Sequence, residues 1–408
     1  MQQRRYDLDW LRVLAFGVLI FYHIGMLYVA DWGFHYKSQY QSEVLQYFMI
    51  LVNRWRLPLL FFISGVASHY LLHKYSLFDY AKKRTWRLLL PLLFGVLVIV
   101  PPQLFVEMTT NENLTLSYWQ FYQAFFDLQH PLFINYQSGI LPHMDVNHLW
   151  YLRELWCFSI ILLFIHPVYV WLNVSTSMDR VWLKLGFLGV LFVPVMFLSV
   201  AAIGFFPTSS EGIRIAQGFC FFLLGYVIWQ NKICWAFIQD YRRWSLVLAV
   251  ISYLCLIIYY QFYLVTRIES LTGFYAALET ILLLVNRWVW VLAILGYANA
   301  YLNRPSALLT YLADAVYPSY LIHQTVLIVA AFCLAPLLLG GMIESITVIV
   351  ITVLSCLITY ELARRISILK PLMGISKDTN KPNPAILNNA CSAFAWLLIL
   401  PLGLLIIS

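Results

Sequence analysis

Long apolar runs recur along the whole of this 408-residue chain, and they restrict it to one kind of fold. Most are close to the roughly 20 residues that a helix needs to cross a bilayer. Charged residues make up only 11% of the sequence, whereas about a quarter is typical of soluble domains. The sequence therefore predicts an all-α polytopic integral membrane protein. We expect a bundle of about 10–11 transmembrane helices, at least one of them broken or kinked, and no nucleic-acid partner.

The apolar runs give approximate bounds for each predicted span. They lie near residues 11–30, 44–72, 88–106, 149–171, 182–204, 213–230, 244–264, 277–297, 307–338, 343–363 and 392–407. The runs 44–72 and 307–338 are too long for a straight crossing, and each contains a proline, Pro58 and Pro318. We expect a tilted or broken helix in both, because proline cannot donate its backbone hydrogen bond.

The distribution of Lys and Arg predicts the orientation in the membrane. Alternate loops starting from the N-terminus hold eighteen of these cations, and the opposite loops hold three. Since loops rich in Lys and Arg stay in the cytoplasm, the N-terminus is predicted to be cytoplasmic. The resulting organisation is a membrane domain at 1–370 with an outer loop at 107–147, a cytoplasmic linker at 371–391, and an apolar segment at 392–408 that is expected to add a helix.

Two polar residues stand out in the first span, Arg12 and His23. Eleven residues return a helix to about 20° of its starting angle, so both side chains project from one face. An ionisable residue in such a segment usually marks a functional site. The alternative is that Arg12 reaches the headgroups and pairs with Asp9, while His23 forms a hydrogen bond inside the bundle.

The second span carries two arginines at membrane depth, Arg54 and Arg56, with no acidic residue in the same span. Such arginines need acidic partners, water or an anionic ligand. They are about 200° apart on a regular helix, so they share one site only if the backbone is irregular near Pro58. Ser64 and Gly65 are small enough for a neighbouring helix to approach closely. We favour an anion-facing role over a structural ion pair.

Further polar residues mark both mouths of the predicted bundle. Arg84 and Arg87 lie one turn apart, which suits either a headgroup anchor or a phosphate-bearing cytoplasmic ligand. Other candidates for acceptor binding or support occur in the fourth and ninth spans: His148, Trp150, Arg153, Glu154, Asp314, Tyr317 and His323. Any acid among them can orient a catalytic imidazole. The seven cysteines show no CxxC spacing, and no metal site is predicted.

These motifs together resemble the membrane-bound acyltransferase-3 family. The resemblance rests on Arg12-x10-His23, FFISG at 61–65, RxxR at 84–87, HLWYL at 148–152 and YLIHQ at 320–324, in order across most of residues 6–370. Within the family the chain looks most similar to the glucans biosynthesis protein C branch, which succinylates osmoregulated periplasmic glucans. We expect no fused soluble periplasmic domain of the kind that many members carry.

The resemblance implies transfer of an acyl group, succinyl or acetyl, from cytoplasmic acyl-CoA to a hydroxyl of an extracytoplasmic carbohydrate. In this interpretation the chain lies in the bacterial inner membrane and acyl-CoA is a co-substrate, with no permanently bound cofactor. His23 matches the essential histidine, Arg12 its motif partner, and Arg84 and Arg87 the arginines tied to acyl-CoA. Charge alone suggests Arg54 or Arg56 for a carboxylate on the acyl group. Ser64 is also a candidate for donor binding.

Other functions stay open from sequence alone. Broken helices with cations at membrane depth are also typical of transporters, so an anion transporter or a flippase for a lipid-linked sugar is an alternative. A third alternative is acyl transfer to a lipid-linked sugar or a peptide. The sequence does not decide between direct transfer and a covalent acyl-histidine, and it does not indicate an oligomeric state.

Overall fold

Ten helices of the computed structural model are long and apolar enough to cross a membrane. The structure describes residues 4–112, 114–137, 139, 141–204, 210–261 and 274–375. The candidate spans are Tyr6–Tyr28, Leu45–Lys74, Leu77–Asn111, Asn147–Trp171, Ser177–Ser199, Glu211–Ile228, Arg242–Tyr259, Glu279–Tyr301, Ala307–Leu337 and Gly341–Ala363. They match ten of the eleven predicted spans. The predicted helix at 392–407, and the linker beyond residue 375, lie outside the described residues.

The described residues form helices and no β-strand, which confirms an all-α integral membrane protein. The helices are α1 (Tyr6–Tyr28), α2 (Leu45–Lys74), α3 (Leu77–Phe94), α4 (Pro101–Asn111), α5 (Tyr118–Phe125), α6 (Trp150–Trp171), α7 (Val174–Gly204), α8 (Ser210–Ile228), α9 (Lys232–Asp240), α10 (Arg242–Tyr259), α11 (Phe274–Tyr301), α12 (Ala307–Leu334), α13 (Gly341–Ala363) and α14 (Leu369–Leu372). A π-helical turn, Gly95–Ile99, joins α3 to α4.

The first helix is stabilised at its C-terminal end by the loop that follows it. The Lys37 ammonium donates to the carbonyl oxygens of Met26, at 2.9 Å, and Val29. These acceptors belong to the last turn of α1 and the residue after it, where backbone carbonyls lack helical partners. Partial burial lowers the pKa of Lys37 from its ordinary value, whereas Asp31 acts in the opposite direction. The loop is therefore held against the helix that carries His23.

The long second and ninth spans are not interrupted where the sequence predicts. Both α2 and α12 continue across their prolines, Pro58 and Pro318. Neighbouring groups in a membrane bundle can satisfy the carbonyl that a proline leaves, so proline does not force a break. The break lies instead in α7, at Gly186, whose φ of 57° and ψ of −144° are outside the helical region. The prediction of at least one broken or kinked helix is thus confirmed at Gly186. In α2 and α12, where a tilt or a break is predicted, the helix is continuous, so the tilt stays a prediction.

The fold divides into two compact units. The first contains the residues up to Ala15, with Tyr47–Lys82 and Cys157–Leu309. The second contains Phe16–Gln46, Lys83–Trp156 and the described residues from Thr310 onward. Its core includes a continuous buried stretch of α12, residues 321–331. Every face of α12 is therefore buried along these residues, which include His323.

Close packing of α2 against α8 organises the first unit. A Cβ atom added at Gly65 would overlap the carbonyl oxygen of Phe222, and one added at Gly225 would overlap that of Phe62. The two helix backbones therefore touch at both glycines, as small residues permit in membrane bundles. Ser64 and Gly65 predict this close approach. Nearby, the Ser68 hydroxyl donates to the Ser64 carbonyl oxygen at 2.9 Å.

Candidate functional site

Two histidines from opposite ends of the sequence meet in the second unit. His23 on α1 and His323 on α12 place Nδ1 of His23 2.8 Å from Nε2 of His323. Their rings are stacked, with centroids 5.0 Å apart and planes at 25°. His323 is fully buried, while His23 is half-buried. The more accessible ring is therefore held by one that packing has already fixed.

Backbone chemistry assigns the hydrogen positions in this pair. Nδ1 of His323 lies 2.8 Å from the carbonyl oxygen of Tyr320, and a carbonyl can only accept, so this nitrogen carries a hydrogen. In neutral His323, Nε2 then carries a lone pair and accepts from Nδ1–H of His23. The proton of a neutral His23 is thus on Nδ1. Its Nε2 is left as the basic nitrogen, which is the arrangement that general-base chemistry requires.

His148 supports the helix that carries His323. Its Nε2 donates to the carbonyl oxygen of Leu321 at 2.9 Å, and the Tyr320 hydroxyl donates to the carbonyl oxygen of His148 at 2.6 Å. These two bonds run in opposite directions between the start of the fourth span and α12. Both ring nitrogens of His148 are committed, because its Nδ1 accepts from the Gln103 amide at 3.2 Å. This geometry favours support of the site over direct binding of an acceptor.

A buried layer of amides and hydroxyls continues this support. Gln103 donates to the Thr325 hydroxyl at 2.6 Å and accepts from the Gln324 amide at 3.1 Å. Thr325 in turn donates to the Ile99 carbonyl oxygen at 2.6 Å. The Gln103 backbone N–H bonds to Val100 and not to Ile99, so the Thr325 hydroxyl takes the place of that helical donor. Satisfied networks of this kind rigidify a core and fix side-chain positions.

The loop after α1 places an aromatic ring and a further histidine beside the pair. Phe34 stacks against His23, with ring centroids 6.5 Å apart and planes at 11°. The adjacent His35 lies 2.5 Å from a carboxylate oxygen of Glu107 and 2.7 Å from the side-chain oxygen of Asn147. Sequence reasoning did not select His35, Glu107 or Gln103. An acid and an amide at the end of the third predicted span, Glu107 and Gln103, are the sequence feature that could have pointed to them.

Arg12 lies in the first unit, although it shares α1 with His23. One guanidinium nitrogen is 4.0 Å from a carboxylate oxygen of Asp9, and the side chain is 40% exposed. This is the pairing that the alternative interpretation of Arg12 predicts. The helix runs without interruption from Arg12 to His23, as the shared-face argument requires. The role of Arg12 stays a prediction.

The structure brings Tyr317 to the arginine pair of α3. The Tyr317 hydroxyl donates to the Arg87 carbonyl oxygen at 2.8 Å, and both Arg84 and Arg87 lie within electrostatic range of that hydroxyl. Arg84 is buried and Arg87 is exposed. Asp314, one turn earlier on α12, is also exposed. Tyr317 therefore belongs with the predicted donor-binding arginines, and it does not contact the histidine pair in any described bond.

The remaining candidates of the fourth span lie along the first two turns of α6. Arg153 and Glu154 form an ion pair at 3.7 Å, in which Glu154 is buried. Trp150 is half-buried at the start of the helix. Trp156, one turn beyond, donates from its indole nitrogen to the Thr85 hydroxyl at 3.1 Å. These residues stay predictions for support or acceptor binding.

In the first unit, Arg54 and Arg56 are both buried on α2. A guanidinium nitrogen of Arg54 donates to the Tyr260 hydroxyl at 3.3 Å. Because α2 is continuous through Pro58, the irregular backbone that would bring both arginines to one site is not found. Among the described residues, no cluster of three or more His, Cys, Asp or Glu side chains is placed to hold a metal ion.

Comparison with known proteins identifies the family. The family model described as acyltransferase domain, Acyl_transf_3, matches residues 5–361. The chain belongs to the acyltransferase-3 family. The prediction of an O-acyltransferase enzyme is confirmed. Every residue of the histidine pair and its support lies inside the matched range.

Curated relatives agree with this membership. The chain is 23% identical over 394 residues to glucans biosynthesis protein C of Salmonella typhi, covering 91% of this chain and 94% of the relative. The same protein of Salmonella typhimurium gives the same identity and coverage. No solved structure matches the chain. The resemblance to this branch is thus confirmed. The role in glucan biosynthesis that the name states is a property of these relatives.

Proposed function

We propose that this acyltransferase moves an acyl group from cytoplasmic acyl-CoA to a hydroxyl of an extracytoplasmic carbohydrate, with His23 as the general base. The observation that carries the proposal is the hydrogen bond from His23 Nδ1 to His323 Nε2, since it leaves the second imidazole nitrogen of His23 basic. Similarity to glucans biosynthesis protein C supports a glucan as the acceptor. In this proposal the chain lies in the bacterial inner membrane, with its N-terminus in the cytoplasm.

The chemistry uses one proton acceptor for both halves of the reaction. Nε2 of His23 removes the proton of the sugar hydroxyl as its oxygen attacks the thioester carbonyl carbon. The carbon–sulfur bond then breaks, and the leaving thiolate of CoA takes the proton from His23. The transient imidazolium of His23 donates from Nδ1 to His323, which stabilises the charge.

A labelled acyl-CoA assay on the purified protein tests this function against its alternative. Release of CoA together with labelled acceptor, dependent on His23, indicates acyl transfer. Movement of a solute or lipid-linked sugar without release of CoA would instead indicate a transporter or flippase. Mass spectrometry of surface glycans from cells with and without the gene identifies the acceptor and the added mass together.

Arg84 and Arg87 are proposed to bind the phosphates of the acyl-CoA donor, with Arg12 and Ser64 on the path of its acyl arm. Replacement of Arg87 by Gln should raise KM for acyl-CoA about tenfold, because one charge-assisted contact is lost, with kcat nearly unchanged. Lys184→Gln is the matched control, since Lys184 is an exposed cation on α7 that the proposal places on the same side of the membrane. An unchanged KM in Arg87→Gln would contradict the assignment.

Charge also suggests how a dicarboxylic donor is selected. We propose that Arg54 or Arg56 neutralises the second carboxylate of a succinyl group, which otherwise carries an unpaired charge into the membrane. Replacing the responsible arginine by Gln should reduce succinyl transfer about tenfold and leave acetyl transfer intact. Parallel rates with succinyl-CoA and acetyl-CoA provide the measurement. If both variants treat the two donors as the wild type does, the selection is made elsewhere.

A further inference from the structure

Two consecutive prolines deprive a backbone carbonyl of its helical donor at membrane depth. The carbonyl oxygen of Leu97 would accept from residue 101 in an α-helical turn, or from residue 102 in a π-helical turn. Both are prolines, Pro101 and Pro102, and neither has an N–H. Leu97 is also the midpoint of the predicted apolar run 88–106. Because lipid offers no hydrogen-bond donor at that depth, this oxygen needs a donor from the protein.

The donor comes from α5, a short helix in the predicted outer loop. The Tyr122 hydroxyl donates to the Leu97 carbonyl oxygen at 2.9 Å, and both residues belong to the second unit. The hydrocarbon core extends roughly 15 Å to either side of its midplane, which is more than a tyrosine side chain can span. The helix α5 therefore lies beside the outer half of the third span and not above the membrane surface.

One face of α5 is fixed against the core of the second unit. Tyr118, Phe121 and Phe125 are buried on this face. The Phe105 ring contacts the rings of Tyr118 and Phe121, and the Phe133 ring contacts that of Phe121, with centroids 5.3–5.7 Å apart. These contacts determine which side of α5 faces outward.

The outward side of α5 separates aromatic from polar residues. At 100° per residue, Trp119 and Phe126 project within about 20° of each other and next to Tyr122. Their side chains are 53% and 50% exposed, respectively. Gln120 and Gln123, also exposed, project roughly 50–110° further round. No Asp, Glu, Lys or Arg occurs between residues 118 and 126. Aromatic residues beside uncharged polar ones are typical of the boundary between headgroups and acyl chains.

We propose that α5 is an interfacial helix whose outward aromatic face, Trp119 and Phe126, contacts phospholipid acyl chains. Leu93 and Leu97 are exposed on the adjoining part of the third span, so the apolar surface continues from that span onto α5. Tyr122 points toward the middle of the membrane, and the aromatic face lies next to it. This contact goes beyond the proposed acyl transfer and does not depend on it.

Quenching by brominated phosphatidylcholine tests the contact in nanodiscs that hold one chain each. The sequence has 15 tryptophans, so the signal of Trp119 is the difference in emission between wild type and Trp119→Phe. Bromines near the headgroup end of the acyl chains should quench most of this difference signal, and bromines near the chain ends should quench less. Trp182→Phe is the matched control, because Trp182 is fully buried in the protein and its signal should be quenched less. Equally weak quenching of both signals would overturn the proposal.

Charge substitutions distinguish lipid from water around α5. Phe126→Glu should lower the Tm in nanodiscs by about 2–4 °C relative to Phe126→Gln, because only the former puts a charge among acyl chains. Gln123→Glu makes the same Gln-to-Glu comparison on the polar face and should leave the wild-type Tm unchanged. Equal Tm values for Phe126→Glu and Phe126→Gln would mean that the aromatic face lies in water. Protection of Trp119 from bromine by a neutral glucose oligosaccharide would mean that it binds carbohydrate. Either result would contradict the lipid contact, and release of CoA by the wild type reports separately on acyl transfer.

Discussion

Replacing His23 by Asn is expected to lower the rate of acyl transfer by roughly 10²–10⁴-fold, the usual contribution of a general base. The variant is chosen for its geometry. An Asn amide can occupy the position of the imidazole Nδ1 and keep the 2.8 Å hydrogen bond to His323, while nothing replaces the basic Nε2. Loss of activity would then reflect the missing base and not a disrupted helix contact.

The measurement is the rate of CoA release with labelled acyl-CoA and acceptor, on protein that elutes as a folded species. His73→Gln is the matched control, because His73 is an exposed histidine on α2 outside the second unit. Added imidazole should restore part of the activity to His23→Ala by supplying the base in solution. Retention of wild-type kcat in His23→Asn would refute the assignment of His23 as the base.

Replacing His323 by Leu is expected to lower kcat roughly 10²-fold with little change in KM for the donor. Without an acceptor at this position, Nδ1–H of His23 loses its partner, and the tautomer with a basic Nε2 is no longer favoured. His323→Gln should recover most of the activity, since its side-chain oxygen can accept the same hydrogen bond. His323 acts through His23 and is a positioning residue.

The pH dependence of kcat distinguishes positioning from packing. A proton bound by the histidine pair leaves no basic nitrogen on His23, so activity should fall as the pH falls. The pH midpoint of that fall belongs to the pair and should move in His323→Leu. Val326→Ala, a buried packing change on the same helix, should leave the midpoint in place. A midpoint shared by wild type and His323→Leu would show that His323 only fills space.

The transmembrane spans could be predicted from sequence because apolar length is what a bilayer selects. Nine spans agree to within about five residues, and the structure extends the third from 88–106 to Leu77–Asn111. Mean hydropathy does not reveal this extension, because the first turns of the helix carry cations that include Arg84 and Arg87. The position of the break is not predictable, for a different reason. Proline is a strong local signal, but the interruption at Gly186 depends on a backbone conformation that sequence does not display.

The candidate site could be predicted only as separate residues. His23, His148 and His323 were each selected because polar groups are rare in apolar spans. That His23 meets His323, 300 positions away, follows from helix packing and has no local signal. The sequence offers several acids that can orient the imidazole of His23, and the structure adds a second imidazole, His323, as its partner. His35 lies in the loop after the first span and Glu107 at the end of the third predicted span, where polar residues need no explanation, so sequence alone does not single them out.

The π-helical turn at Gly95–Ile99 sets the angular position of everything that follows it in α4. Such a turn accommodates one residue more than an α-helical turn, and each residue corresponds to about 100° of rotation. Gln103 and Glu107 lie four residues apart downstream, and one meets His148 while the other meets His35. Insertions and deletions in this five-residue segment should therefore be tolerated far less than substitutions, because they would turn both contacts away together.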